Sequence, residues 1–81
     1  MNKENIKAFL LETINKILKK KGSKPIETLD EGVSLRNDLG FDSLDLAELT
    51  VRIEDETGID IFEKGIVDKI SEIMERIGVN E

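Results

Sequence analysis

The chain has 81 residues, 12 Lys and Arg against 18 Asp and Glu for a formal charge of −6, and three Phe, with no Tyr, Trp, Cys or His. Without Cys or His there can be no disulfide, Cys–His nucleophile, Ser–His–Asp triad, thiolate or imidazole metal site or haem attachment, so neither a catalytic residue nor a metal site is expected. Net acidity argues against a nucleic-acid partner, which selects a basic face, and the longest early apolar run, Ala8-Phe9-Leu10-Leu11, is too short for a membrane span or secretory signal, which predicts a cytoplasmic protein.

In the first segment Ile6, Phe9, Leu10, Ile14 and Ile17 recur at the spacing of one apolar helical stripe. Lys19, Lys20 and Lys21 suit the negative end of that helix's dipole and read as a solvated helix end, with Gly22 as the stop. From Gly22 to Phe41 the chain holds Ile26, Leu29, Val33, Leu35, Leu39 and Phe41, which predicts a long loop packed back on the core rather than an open one. Within it Ser34-Leu35-Arg36-Asn37-Asp38 reads as a short helical turn capped by Ser34.

The second helix is expected from about Asp42 to Thr57, with Leu46, Leu49, Thr50 and Ile53 on its core face and Gly58 as its stop. Ile59-Asp60-Ile61-Phe62 alternates as a strand would, but an isolated strand has no pairing partner, so a connector is expected there. At most a short helical turn over Phe62 to Ile66 follows, weakened by Gly65. A third helix is expected to begin near Val67, carrying Ile70, Ile73, Met74 and Ile77, with Arg76 in its last turn and Gly78 beyond. The expected fold is all-α: one domain over residues 1–81, a small three- to four-helix bundle with a long packed loop between helices one and two.

The second helix carries the functional information. With Leu46, Leu49 and Ile53 facing the core, residues at 100° intervals place Leu44, Glu48, Val51 and Asp55 outward, flanked by Ala47 and Glu54. Aliphatic and acidic groups thus mix on one face, which fits a partner with a shallow apolar groove ringed by Lys or Arg. Asp42 and Asp45 sit at the positive end of the dipole, where they cap and stabilise. Glu54, Asp55 and Glu56 sit at the negative end, where each costs about 0.3–1 kcal/mol, and such repeated violation of a local rule points to recognition. The charge is also uneven along the chain: residues 1–37 carry +3 and residues 38–81 carry −9. Ser43, just after the N-cap Asp42, lies where helix N–H groups favour an attached phosphate, and with no neighbouring base it needs a second enzyme to modify it.

The run Leu35-Arg36-Asn37-Asp38-Leu39-Gly40-Phe41-Asp42-Ser43-Leu44-Asp45-Leu46-Ala47-Glu48-Leu49 resembles the signature of acyl carrier proteins, and the likeness extends over nearly the whole chain. The resemblance implies that Ser43, flanked by Asp42 and Leu44, carries 4′-phosphopantetheine through a phosphodiester, whose terminal thiol holds acyl groups as thioesters. It also implies that Asp42, Asp45, Glu48, Glu54 and Asp55, with Leu44, Ala47 and Val51, dock basic patches on partner enzymes. Those partners are the holo-carrier synthase (a phosphopantetheinyl transferase) and acyl-loading and acyl-processing enzymes, met by a monomer.

Three departures bear on the pathway. Arg52 places a positive charge in the docking helix, Leu46 is bulkier than usual at the pocket mouth, and Ile61-Phe62-Glu63-Lys64-Gly65-Ile66 replaces an acidic, proline-led helix. A fatty-acid role and a specialised biosynthetic one both remain open. The alternative is a small acidic helical adaptor or regulatory protein without a prosthetic group, which would share the fold and acidic face but has no need of Asp-Leu-Gly, Asp-Ser-Leu and the acidic helix at this spacing.

Overall fold

The computed structural model describes residues 2–63 and 65–78. Three helices form: α1 (Lys3–Lys20), α2 (Ser43–Thr57) and α3 (Ile70–Ile77). The stripe read from the sequence becomes the buried face of α1, with Ile6, Leu10, Ile14, Ile17 and also Leu18 in the core, while Phe9 packs at its margin. Asn2 caps this helix, its side chain accepting from the Asn5 N–H at 2.8 Å. Leu46, Leu49 and Ile53 of α2 and Ile70, Ile73 and Met74 of α3 meet that face. Thr50, expected on the core face of α2, is only half-buried, and its hydroxyl donates to the Leu46 carbonyl at 2.8 Å.

Between α1 and α2 the chain contributes Leu29, Leu35 and Phe41 to the same core. Asn15 in α1 pins this segment by two hydrogen bonds to the backbone of Ile26, 2.8 Å from its N–H and 3.0 Å to its carbonyl. Ser34 caps a hydrogen-bonded turn: its Oγ accepts from the Asn37 N–H at 3.0 Å, and the Asp38 carboxylate returns to the Ser34 N–H at 2.7 Å. Among the described residues no buried side-chain nitrogen or oxygen lacks a partner, as a buried loop requires.

The third helix starts at Ile70, three residues later than its periodicity predicts. Val67 is fully buried, but residues 66–68 are not helical and Lys69 is extended, because residues 68–70 pair with residues 33–35. Leu35 N–H donates to the Asp68 carbonyl (2.8 Å) and Ile70 N–H to the Val33 carbonyl (3.1 Å), around an antiparallel bridge between Ser34 and Lys69. Glu72 then accepts from the Lys69 and Asp68 N–H groups at 2.8 and 3.2 Å, satisfying donors that α3 leaves open. Among the described residues this bridge is the one piece of β pairing and no strand forms. In the second connector Ile61 is fully buried and Asp60 organises a turn, accepting from the Phe62 N–H at 2.9 Å. Lys64, within the expected Phe62–Ile66 turn, lies outside the described residues. None of the described helices is long and apolar enough to cross a membrane.

Candidate functional site

The start of α2 is built by the residues just before it. Phe41, 4% exposed, anchors in the core and donates its N–H to the Leu35 carbonyl at 2.9 Å. Gly40, at φ 68°, turns the chain toward the helix in a conformation that a side chain would strain. Asp42 is the N-cap: its Oδ1 accepts from the Asp45 N–H at 2.9 Å while Asp45 Oδ2 accepts from the Asp42 N–H at 3.0 Å. This reciprocal pair satisfies the Asp42 and Asp45 N–H groups and leaves Ser43, the first helical residue, exposed.

Ser43 is exposed, and its hydroxyl makes no hydrogen bond among the described residues. It opens onto a surface groove of about 270 Å³ lined by Arg36, Leu46, Ala47, Thr50, Phe62 and Ile66. Ile66, which lines this groove, is 74% exposed. A second cleft, of about 410 Å³, is lined by Ile59, Asp60, Glu63, Glu75 and Arg76 and contains no serine.

The residues expected to dock partners divide into two sets. Leu44 (81% exposed) and Val51 (57%) stand outward, as do Ala47, Glu54 and Asp55. Asp45 and Glu48 are half-buried and already paired with the basic end of α1. Lys21 Nζ forms a close ion pair with Asp45 Oδ2 and also donates to the Gly40 carbonyl at 3.1 Å. Lys20 Nζ lies 3.0 Å from Glu48 Oε1, and Arg52 Nε lies 3.0 Å from Glu48 Oε2. Lys20 and Lys21 are therefore not a free solvated helix end, and Arg52 is turned back on Glu48 instead of serving the acids of the last turn.

These pairs set the local titration. Partial burial alone would raise the Asp45 carboxyl, but the Lys21 ammonium and the Asp42 N–H outweigh it and hold it below the ordinary carboxylate range. Lys20 and then Arg52 lower Glu48 in the same way, and Asp45 raises Lys21. Glu54, Asp55 and Glu56 form no ion pair among the described residues.

Arg36, Phe62 and Ile66 belong to the groove although the sequence reading assigned them no site role. Their signal was weak, because all three lie outside α2 and reach the groove only through the pairing of residues 33–35 with 68–70 and the burial of Ile61.

Comparison with known proteins returns a family model described as "Phosphopantetheine attachment site", matched over residues 8–77. The chain is 35% identical over 68 residues to an acyl carrier protein of Saccharopolyspora erythraea, a match covering 82% of this chain and 72% of that protein. It is 39% identical over 54 residues to acyl carrier protein 3 of Ralstonia nicotianae, spanning 67% of this chain and 62% of that protein. No solved structure matches significantly.

Proposed function

The chain belongs to the phosphopantetheine attachment-site family, that of the acyl carrier proteins, and from this premise we propose that Ser43 is its attachment residue. Family members are non-catalytic carriers that hold phosphopantetheine covalently on a serine, and the arm, when bound, supplies a thiol for acyl thioesters. The observation that supports Ser43 is its position: an exposed, uncommitted hydroxyl at a capped helix start, opening onto a largely apolar groove. Of the other serines, Ser34 is 7% exposed and bound to Asp68, Ser23 lies just beyond the end of α1, and Ser71 lies in the first turn of α3. The groove suits the group. Leu46, Ala47, Phe62 and Ile66 offer apolar walls for the methylene-rich arm or its cargo, and the α2 N-terminus offers the dipole that favours a phosphate.

No side chain takes a hydrogen bond from the Ser43 hydroxyl among the described residues, so a phosphopantetheinyl transferase must take its proton while the oxygen attacks the pantetheine-bearing phosphorus of coenzyme A, breaking the pyrophosphate bond and releasing adenosine 3′,5′-bisphosphate. In this reading that transferase and the acyl-loading and acyl-processing enzymes dock through basic patches on Leu44, Ala47, Val51, Glu54 and Asp55, with Asp45 and Glu48 at the edge. The proposal covers a single carrier domain over residues 1–81 that acts as a monomer in the cytoplasm, in fatty-acid or specialised biosynthesis.

Intact-mass measurement after incubation with coenzyme A and a broad-specificity transferase tests the assignment. A single phosphopantetheine adduct is expected, and Ser43→Ala should abolish it. An adduct that survives in Ser43→Ala would move the site elsewhere. No adduct with several transferases would overturn the carrier reading in favour of an adaptor.

A further inference from the structure

We infer that Arg36 is the anion-holding residue of the groove beside Ser43 and binds the phosphodiester formed there. The inference rests on Ser43 being the attachment residue. It concerns a side chain that lies outside α2, on the turn that precedes it.

Among the residues lining the groove, Arg36 alone carries a charge. Its guanidinium forms no ion pair and no hydrogen bond among the described residues, in a chain with a net charge of −6. An unpaired arginine is notable here because an acid is close in the fold. The carboxylate of Asp68 is engaged otherwise: Oδ2 accepts from Ser34 Oγ at 2.7 Å, and Oδ1 accepts from the backbone N–H of Arg36 itself at 3.2 Å. The same aspartate thus fixes the Arg36 backbone while its oxygens are taken by other donors.

The platform is rigid. Leu35, fully buried, donates its N–H to the Asp68 carbonyl at 2.8 Å, and Asn37 donates to Ser34 Oγ at 3.0 Å, so both neighbours of Arg36 are tied down. The side chain makes no hydrogen bond or ion pair among the described residues, although its charge is near enough to help lower the Asp68 carboxyl, and guanidinium geometry matches phosphate oxygens through paired N–H donors. The electrostatics of the site call for such a group. A phosphodiester on Ser43 sits between Asp42 and Asp45, and the other cation at that end of α2, Lys21, is committed to Asp45 and the Gly40 carbonyl. Arg36 is the remaining cation that lines the groove with Ser43.

The test compares apo and holo forms of the wild type, Arg36→Gln and Arg36→Lys, with loading verified by mass. The phosphorus-31 resonance of the holo protein is expected to shift in Arg36→Gln and less in Arg36→Lys. Modification should favour folding about two- to five-fold more in the wild type than in Arg36→Gln at low salt, the range of an exposed ion pair, and the difference should shrink in high salt. The apo forms should unfold alike, which a merely structural role would not allow. Equal phosphorus-31 shifts and equal apo–holo stability differences in loaded wild type and Arg36→Gln would overturn the inference while leaving Ser43 in place. Failure of the wild type to load would overturn the attachment assignment instead. An Arg36-dependent effect seen only when a carboxylate-ended acyl group is loaded would reassign Arg36 to cargo and also overturn the phosphodiester role. Should Arg36→Gln not fold, Arg36→Lys against Arg36→Met gives the same comparison.

Discussion

Asp42 does two jobs within one residue of Ser43: it caps α2 through Asp45, and it keeps the serine exposed by fixing where the helix begins. Replacing it with alanine removes the acceptor for the Asp45 N–H and is expected to cost about 1 kcal/mol of stability. Asp42→Asn, which keeps an acceptor, should cost less. Urea titration of the apo protein checks both, and an unchanged midpoint for Asp42→Ala would show that the cap contributes nothing. Ser43 itself contributes little to the fold, so Ser43→Ala should lose the adduct without losing stability. This residue-scale geometry was legible in the sequence, because capping depends on side chains three residues apart and on a helix that follows. The role of Arg36 was not, since nothing within a few residues of it indicates that its turn will border Ser43.

At the scale of the element, α2 is acidic at both ends for different reasons. Its first-turn acid, Asp45, is favoured by the dipole and paired with Lys21, whereas Glu54, Asp55 and Glu56 oppose the dipole and have no ion-pair partner among the described residues. The double substitution Glu54→Gln with Asp55→Asn should therefore raise fold stability by a few tenths to about 1 kcal/mol at low salt, while weakening binding to the transferase or another partner. Thermal melts and a binding titration on the same sample read the two effects. A less stable protein with unchanged affinity would show that these acids serve the fold. The pairing of Lys20 and Lys21 with Glu48 and Asp45 reshapes the docking face as well. A partner's basic patch meets Leu44, Val51 and the last-turn acids openly, but must compete with α1 for the first two acids. Sequence periodicity supplied which face of α2 points outward. It was silent on this competition, because the paired residues are separated by 24 and 28 positions.

For the whole molecule, the Cα radius of gyration is 11.5 Å, against about 11.7 Å expected of a compact domain this long. One core therefore takes side chains from all three helices and both connectors. Four carboxyls that knit this unit, Asp45, Glu48, Asp68 and Glu72, are held below their ordinary range by Lys21, Lys20, the Ser34 hydroxyl and the backbone N–H of Lys69 respectively. A depressed folded-state pKa contributes stability that is fully present above the unfolded value, near 4, and is lost as pH falls through the folded value. Lys21, raised by Asp45, keeps its contribution until strongly alkaline pH. The melting temperature should thus be flat from about pH 6 to 9 and decline below about pH 4, with a shallower acid limb in Lys21→Gln. Melting curves across that range check the sign, and a loss of stability between pH 6 and 9 would contradict it. The charge split along the chain also looks different once folded: Lys3 reaches Glu31, and Lys20 and Lys21 reach Glu48 and Asp45, so part of the basic first half lies against acids. By itself the sequence determined the three helices, their buried faces, the cap at Asp42 and the exposed serine after it, because periodicity and capping act within a few residues. Only the tertiary structure decided that α3 waits until Ile70, that Asp45 and Glu48 are already paired, and that Arg36, Phe62 and Ile66 border Ser43. Those outcomes come from backbone and side-chain pairings between distant segments, which leave no local pattern and are selected only when the whole core packs.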